Sequence, residues 1–270
     1  MIRNFSSSLV VMLLLNSGST SAAEPKRKAV IEDTAGVKTD LLEVGFSGNV
    51  RRFNSSYGSI AVLTKPLEVA IHLDNLKSIK TKGKEHEITY IWLGQEKTLV
   101  GTLDAGEFSG KSEFGDIKMP TSKLKELVFS ELPSTNWETV KKEMSKKPTY
   151  TLMLTDNTEV TVSDLRRHAS YYSSEGYLIG GETRYSHYTD FCFKRGESEV
   201  TIEFAKLKSI EFGSEKTVTV TLASGTSAPG TLSSGRSGID GFTGINEAGE
   251  FFVRPGSVKK IVFGSTKGGK

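Results

Sequence analysis

Apolar residues in this chain fall two apart over short runs, then three apart, and the whole pattern returns four times. Four segments of sixteen residues align without a gap: 66–81 (PLEVAIHLDNLKSIKT), 114–129 (FGDIKMPTSKLKELVF), 197–212 (ESEVTIEFAKLKSIEF) and 248–263 (AGEFFVRPGSVKKIVF). The fourth position holds Val69, Ile117, Val200 and Phe251, and the sixth holds Ile71, Met119, Ile202 and Val253. Residues two apart point to one face of a strand, so these pairs predict a strand with its apolar side inward. The eleventh position (Leu76, Leu124, Leu207, Val258) and the fourteenth (Ile79, Leu127, Ile210, Ile261) are three apart, which fits a short 3₁₀ turn entering the next strand. Lysine follows the eleventh position each time, at Lys77, Lys125, Lys208 and Lys259, and is expected to face water and discourage edge-to-edge association.

A second element precedes this pattern. Ile91 to Leu103 aligns with Val220 to Leu232, each reading as strand, polar turn and a strand entering Gly-Thr-Leu. Leu152 to Leu154, the turn residues Thr155 to Thr158, and Glu159 to Val162 form a third hairpin signal, and Leu42 to Phe53 is a distorted fourth. Each unit then has four or five short strands. That is too little to bury a core as a flat sheet, so closure into a small barrel or pairing with a neighbour is expected. The fold class is all-β, with about four strand units in two tandem pairs.

Spacing groups the copies. Residues 41–132 are expected to hold the first pair and 149–264 the second, because the gap between copies two and three is the long one. Within the connecting segment 133–148, Thr135 and Glu138 have capping-box spacing, while Trp137, Val140 and Met144 recur on one helical face. A short helix is predicted there. Residues 24–40 read as a tether and 265–270 as a polar tail.

The run Gly115-Asp116-Ile117-Lys118-Met119-Pro120, followed by Leu124-Lys125-Glu126-Leu127, resembles the end of an SH3-like small barrel, where a strand meets a proline, passes through a 3₁₀ turn and enters a last strand. The chain is also similar to uncharacterised tandem β-repeats of exported bacterial proteins. Proline occupies the matching place in copy two alone; Pro255 is one residue late in copy four, and Ala205 stands near it in copy three. The peptide-binding aromatics of true SH3 domains have no recognisable counterpart, so no proline-peptide function is carried over.

The first residues change the picture of compartment. Arg3 precedes a seven-residue apolar run from Leu9 to Leu15, and small residues lead to Ser21-Ala22-Ala23 before Glu24-Pro25. Charge, short apolar core and small-x-Ala end predict a secretory signal peptide over 1–23, and hence a periplasmic or secreted protein. The run is far shorter than the roughly 20 residues of a membrane span, and none is expected later in the chain. With 35 basic and 32 acidic residues the formal charge is +3, too small to suggest nucleic acid as a partner. Cys192 is the single cysteine, flanked by Phe191 and Phe193, and reads as a buried strand thiol.

No catalytic residue, metal ligand or cofactor site is assigned. His72, His86, His168 and His187 lack metal-ligand spacing, and His86-Glu87 has no second histidine one turn on. Nucleophile elbows, P-loops and dinucleotide fingerprints are missing from the sequence, so enzyme activity is not expected. The candidate binding surface is the insertion in copy three, residues 166–188. It holds five of the eight tyrosines, and its contact candidates are Arg167, Tyr171, Tyr172, Tyr177, Arg184, Tyr185, His187 and Tyr188. Tyrosine gives flat apolar area with a polar tip, and arginine gives a rigid donor fork, a mixture suited to interfaces. The expected partner is an envelope protein; a cell-wall glycan stacking on the tyrosines and Trp92 is the alternative, and a hydrolase with an unrecognised site the lesser one.

Overall fold

The structure, a computed structural model, describes residues 27–48, 59–104, 106–131, 135–173, 182–233 and 239–264. Residues 1–23, expected to be a signal peptide, the expected tail 265–270 and Tyr177 lie outside the described residues. The chain is all-β, and its 21 described strands join in one continuous hydrogen-bonded ladder. The first half opens with the hairpin β1 (Ala29–Asp33) and β2 (Lys38–Gly48). Repeat copy one follows as β3 (Ser59–Leu63), β4 (Glu68–His72) and β5 (Leu76–Lys82). A second hairpin, β6 (Glu85–Trp92) and β7 (Gln95–Leu103), leads to copy two as β8 (Gly106–Ser112), β9 (Gly115–Pro120) and β10 (Leu124–Phe129). After the helix α1 (Trp137–Ser145), the second half begins with the hairpin β11 (Thr149–Leu154) and β12 (Glu159–Ser173), and then the added strand β13 (Glu182–Tyr188). Copy three is β14 (Asp190–Arg195), β15 (Ser198–Glu203) and β16 (Leu207–Phe212), and the hairpin β17 (Thr217–Leu222) and β18 (Ser227–Leu232) follows. Copy four is β19 (Gly241–Asn246), β20 (Gly249–Val253) and β21 (Val258–Phe263).

The 2-then-3 spacing has the local cause the pattern suggested. In every copy a 3₁₀ turn occupies positions eight to ten, and the N–H of position eleven donates to the carbonyl of position eight: Leu76 to Leu73, Leu124 to Thr121, Leu207 to Phe204 and Val258 to Pro255. The eleventh and fourteenth positions are buried in all four copies, while the lysine between them is exposed.

The units are not laid out in tandem. Hairpin β6–β7 precedes copy two in the chain yet pairs with copy one, through β5–β6 and β3–β7. Hairpin β1–β2 precedes copy one yet pairs with copy two, through β1–β10 and β2–β8. The second half repeats this exchange: β11–β12 joins copy four, and β17–β18 joins copy three. Within each half the two copies meet where β10 pairs with β5 and β21 with β16. The spatial order is therefore β9-β8-β2-β1-β10-β5-β6-β7-β3-β4 in one half and β20-β19-β12-β11-β21-β16-β17-β18-β14-β15 in the other, strand for strand the same. Even the bulges recur, with Glu43 (φ 57°) on β2 and Asp164 (φ 51°) on β12 both in the left-handed region.

Each half has its own core. Ile31, Leu76, Ile79, Ile88, Phe108 and Leu127 are among the buried residues of the first, and Leu152, Phe191, Phe193, Ile210, Phe251 and Ile261 among those of the second. Two glycines of the Gly-Thr-Leu signal serve close approach within these cores. A Cβ on Gly101 would stand 2.5 Å from the Leu63 carbonyl oxygen, and one on Gly230 would stand 2.4 Å from that of Lys194. The halves join where β4 pairs with β20, covered on the far face by Ala61, Ala70 and Phe252.

Two expectations need correction. Residues 29–33 are no tether: β1 lies between β2 and β10, with Ile31 fully buried. A five-residue strand with one charged end carries too short a period to stand out. The α1 cap is Asn136, whose side chain accepts from the Thr139 N–H, rather than Thr135. Trp137 packs on Trp92 edge to face at 5.9 Å, docking the helix on the end of β6.

Candidate functional site

Among the described residues the second half has one strand that the first lacks, β13. The β12 strand pairs with β11 over its first residues and with β19 as far as His168 opposite Gly241. Among the described residues it pairs from Ala169 to Ser173 with β13 alone, and there the hairpin continues past the described edge of β19 as a two-stranded ribbon. The register sets Tyr171 opposite Arg184, Tyr172 opposite Thr183 and Ser170 opposite Tyr185. The candidates other than Tyr177 are thus brought together on one ribbon by backbone pairing.

The root of the ribbon is built from buried charge. Arg167 is 3% exposed. Its Nη2 donates to Asp190 Oδ1 at 2.7 Å and its Nε to the same oxygen at 3.1 Å, while the guanidinium lies 4.2 Å from the centre of the Tyr188 ring. Arg167 is accordingly no surface donor; it clamps the last residue of β13 to the first of β14. Tyr188 is exposed at its outer side, with its ring against that cation. Sequence reasoning missed Asp190, two residues beyond the insertion. The available signal was the cation itself, because a guanidinium inside a sheet requires a carboxylate nearby.

Beside this clamp, Asp164 at the β12 bulge receives Lys147 at 3.5 Å and Arg166 at 3.2 Å. Asp164 and Arg166 line a cleft together with Thr243, Gly244, Ile245, Glu250 and Phe251. His187 Nδ1 lies 3.2 Å from Thr243 Oγ1, and its ring is 4.9 Å from that of His168. Among the described residues no cluster of metal-ligating side chains occurs. No family model, curated protein or solved structure matches the chain. The site therefore stands on its own geometry.

Burial, with a smaller contribution from the Arg166 charge, pushes the His187 pKa below the ordinary histidine value. A histidine whose folded-state pKa is depressed binds its proton more readily when unfolded, so stability is complete above the unfolded pKa of about 6.5 and falls as pH drops through it. His86, also depressed by burial, adds to the same trend. The expected result is a lower urea midpoint at about pH 5 than at about pH 7.5. In His187→Phe that difference shrinks, and an equal difference in the variant would exclude His187 as a contributor. Cys192 Sγ lies 2.9 Å from Thr201 Oγ1 on the face opposite Phe191 and Phe193, a satisfied buried thiol.

Proposed function

We propose that this is an exported, non-catalytic interaction protein of the cell envelope, in which four SH3-like strand units form a scaffold and the β12–β13 ribbon presents the contact surface for a protein partner. One observation carries the reading: β13 is the element by which the described second half departs from an otherwise strand-for-strand duplication. Among the described residues the first half has no counterpart of β13. A strand–3₁₀–strand passage in all four copies supports the SH3-like reading of each unit. The Arg3, Leu9–Leu15 and Ser21-Ala22-Ala23 pattern supports export, and no helix among the described residues is long and apolar enough to cross a membrane.

The test is a photoreactive residue at position 185 in the intact envelope, with trapped species identified by mass spectrometry. A protein adduct is expected; saccharide adducts would replace this reading with glycan binding, and no adduct would remove the ribbon as the surface. Replacing Tyr172, Arg184 and Tyr185 together is expected to weaken capture of the trapped protein by more than tenfold, since aromatic and arginine anchors carry most interface energy. The thermal midpoint should stay within about 2 °C of the parent, as this reading requires of contact residues.

A further inference from the structure

The junction that joins the two halves is half-built at each end of the molecule. It pairs β4 with β20, setting Val69 against Phe251, Ala70 against Glu250 and Glu68 against Phe252. Because the halves repeat strand for strand, β15 holds in the second half the place of β4, and β9 holds in the first half the place of β20. Among the described residues β9 pairs with β8 and β15 with β14, and each leaves its other edge open. At the junction the inward residues of the fourth and sixth positions, Val69, Ile71, Phe251 and Val253, are all buried. At the open edges the same positions, Ile117, Met119, Val200 and Ile202, are only half-buried.

We infer that β9 of one copy of this chain pairs antiparallel with β15 of another, in the register that β20 and β4 use internally. That register sets Ile117 against Val200 on the inner face and Lys118 against Glu199 on the outer one. Lys118, now 3.9 Å from Glu107, is 73% exposed and free to turn to a second acid. In the same register two β15 edges would set Glu199 against Thr201, with no cation to meet the acid, so β9, which brings Lys118, is the better match for β15.

A separate observation points to the same partner. Ala248, the first position of copy four, packs across the internal junction on the core of the other half, and its carbonyl accepts from the Tyr90 hydroxyl at 2.9 Å. The residue in that place at the open edge is Phe114, in the turn between β8 and β9, and it is 85% exposed. By the duplication, Tyr90 opposite Leu76 on β6 corresponds to Leu222 opposite Leu207 on β17. The small–large pair Ala248–Tyr90 inside the chain thus becomes Phe114–Leu222 between chains, a large ring meeting an aliphatic residue. The contact joins unlike edges, so repetition gives a closed ring or an open row of copies.

The test is sedimentation velocity on protein purified from cells expressing the full chain, over about 1 to 100 μM, the range where a moderate contact is populated. A weight-average mass rising above one chain is expected. Phe114→Ser, at an exposed turn, is expected to weaken association at least tenfold, the loss of one buried ring. Lys118→Glu and Glu199→Lys are each expected to weaken it about 2- to 30-fold. Mixing those two variants should restore it, because every junction between unlike copies again joins opposite charges. A single-chain mass throughout, association indifferent to Phe114→Ser, or a mixture that fails to recover would each overturn the inference.

Discussion

Ile261→Ala is expected to destabilise the second half by about 2–5 kcal/mol, the cost of a large-to-small change in a closed core. Ile261 is fully buried on β21 and is flanked on one side by Leu152 of β11 and on the other by Ile210 of β16. Those three strands come from copy four, from the hairpin ahead of copy three, and from copy three. The exchange of hairpins thus ties both units of the half to one side chain, and neither unit can relax into the cavity without moving the other. Hydrogen exchange reads this directly. The amides of β11, β16, β17 and β21 should lose protection together, while β1, β5, β6 and β10, around the equivalent Leu127, keep most of theirs. Loss confined to β21 would mean that the units fold separately. Equal loss in both halves would mean that the β4–β20 junction makes the whole chain one cooperative unit.

The local parts of this fold were legible in the sequence, and the long-range ones were not. Positions four, six, eleven and fourteen announced the strand, the 3₁₀ turn and the next strand, because side-chain direction depends on spacing alone. The lysines at position twelve are exposed for the same reason. What spacing cannot express is which hairpin a strand pairs with: β6–β7 fits either copy by pattern, and the exchange is decided by packing over the whole half. The bulge at Glu43 hid the first half's opening hairpin, since an extra residue in a strand breaks the alternation that would reveal it. In the candidate site, the clustering of tyrosine and arginine was visible, but the inward turn of Arg167 was not. Sequence shows a charged residue; only the register with β19 and β13 shows that position 167 is enclosed from both sides.

That enclosure sets the second large effect. Asp190→Ala is expected to cost about 3 kcal/mol, because it removes the carboxylate from a guanidinium that cannot shed its proton. The side chain of Arg167 is 4% exposed, against 27% for Asp190. Water can therefore reach the vacated acid position more easily than the cation, which holds the cost at the lower end of the range for a broken buried pair. The clamp joins β12 to the start of β14 across the root of the ribbon, so protection of β12–β13 amides beyond His168 should fall further than that of β11 or β21. Partner capture should weaken with it, although none of the proposed contact residues has changed. This separates positioning from contact: the Tyr172, Arg184 and Tyr185 replacement loses capture at unchanged stability, whereas Asp190→Ala loses both. Restoring an apolar fit with Arg167→Met and Asp190→Leu together should recover most of the stability, since a buried ion pair is costly to break but replaceable by well-packed apolar residues. If Asp190→Ala instead shifted the urea midpoint by less than the equivalent of about 1 kcal/mol, the pair would behave as an exposed one and the ribbon would be held by its strand pairing alone.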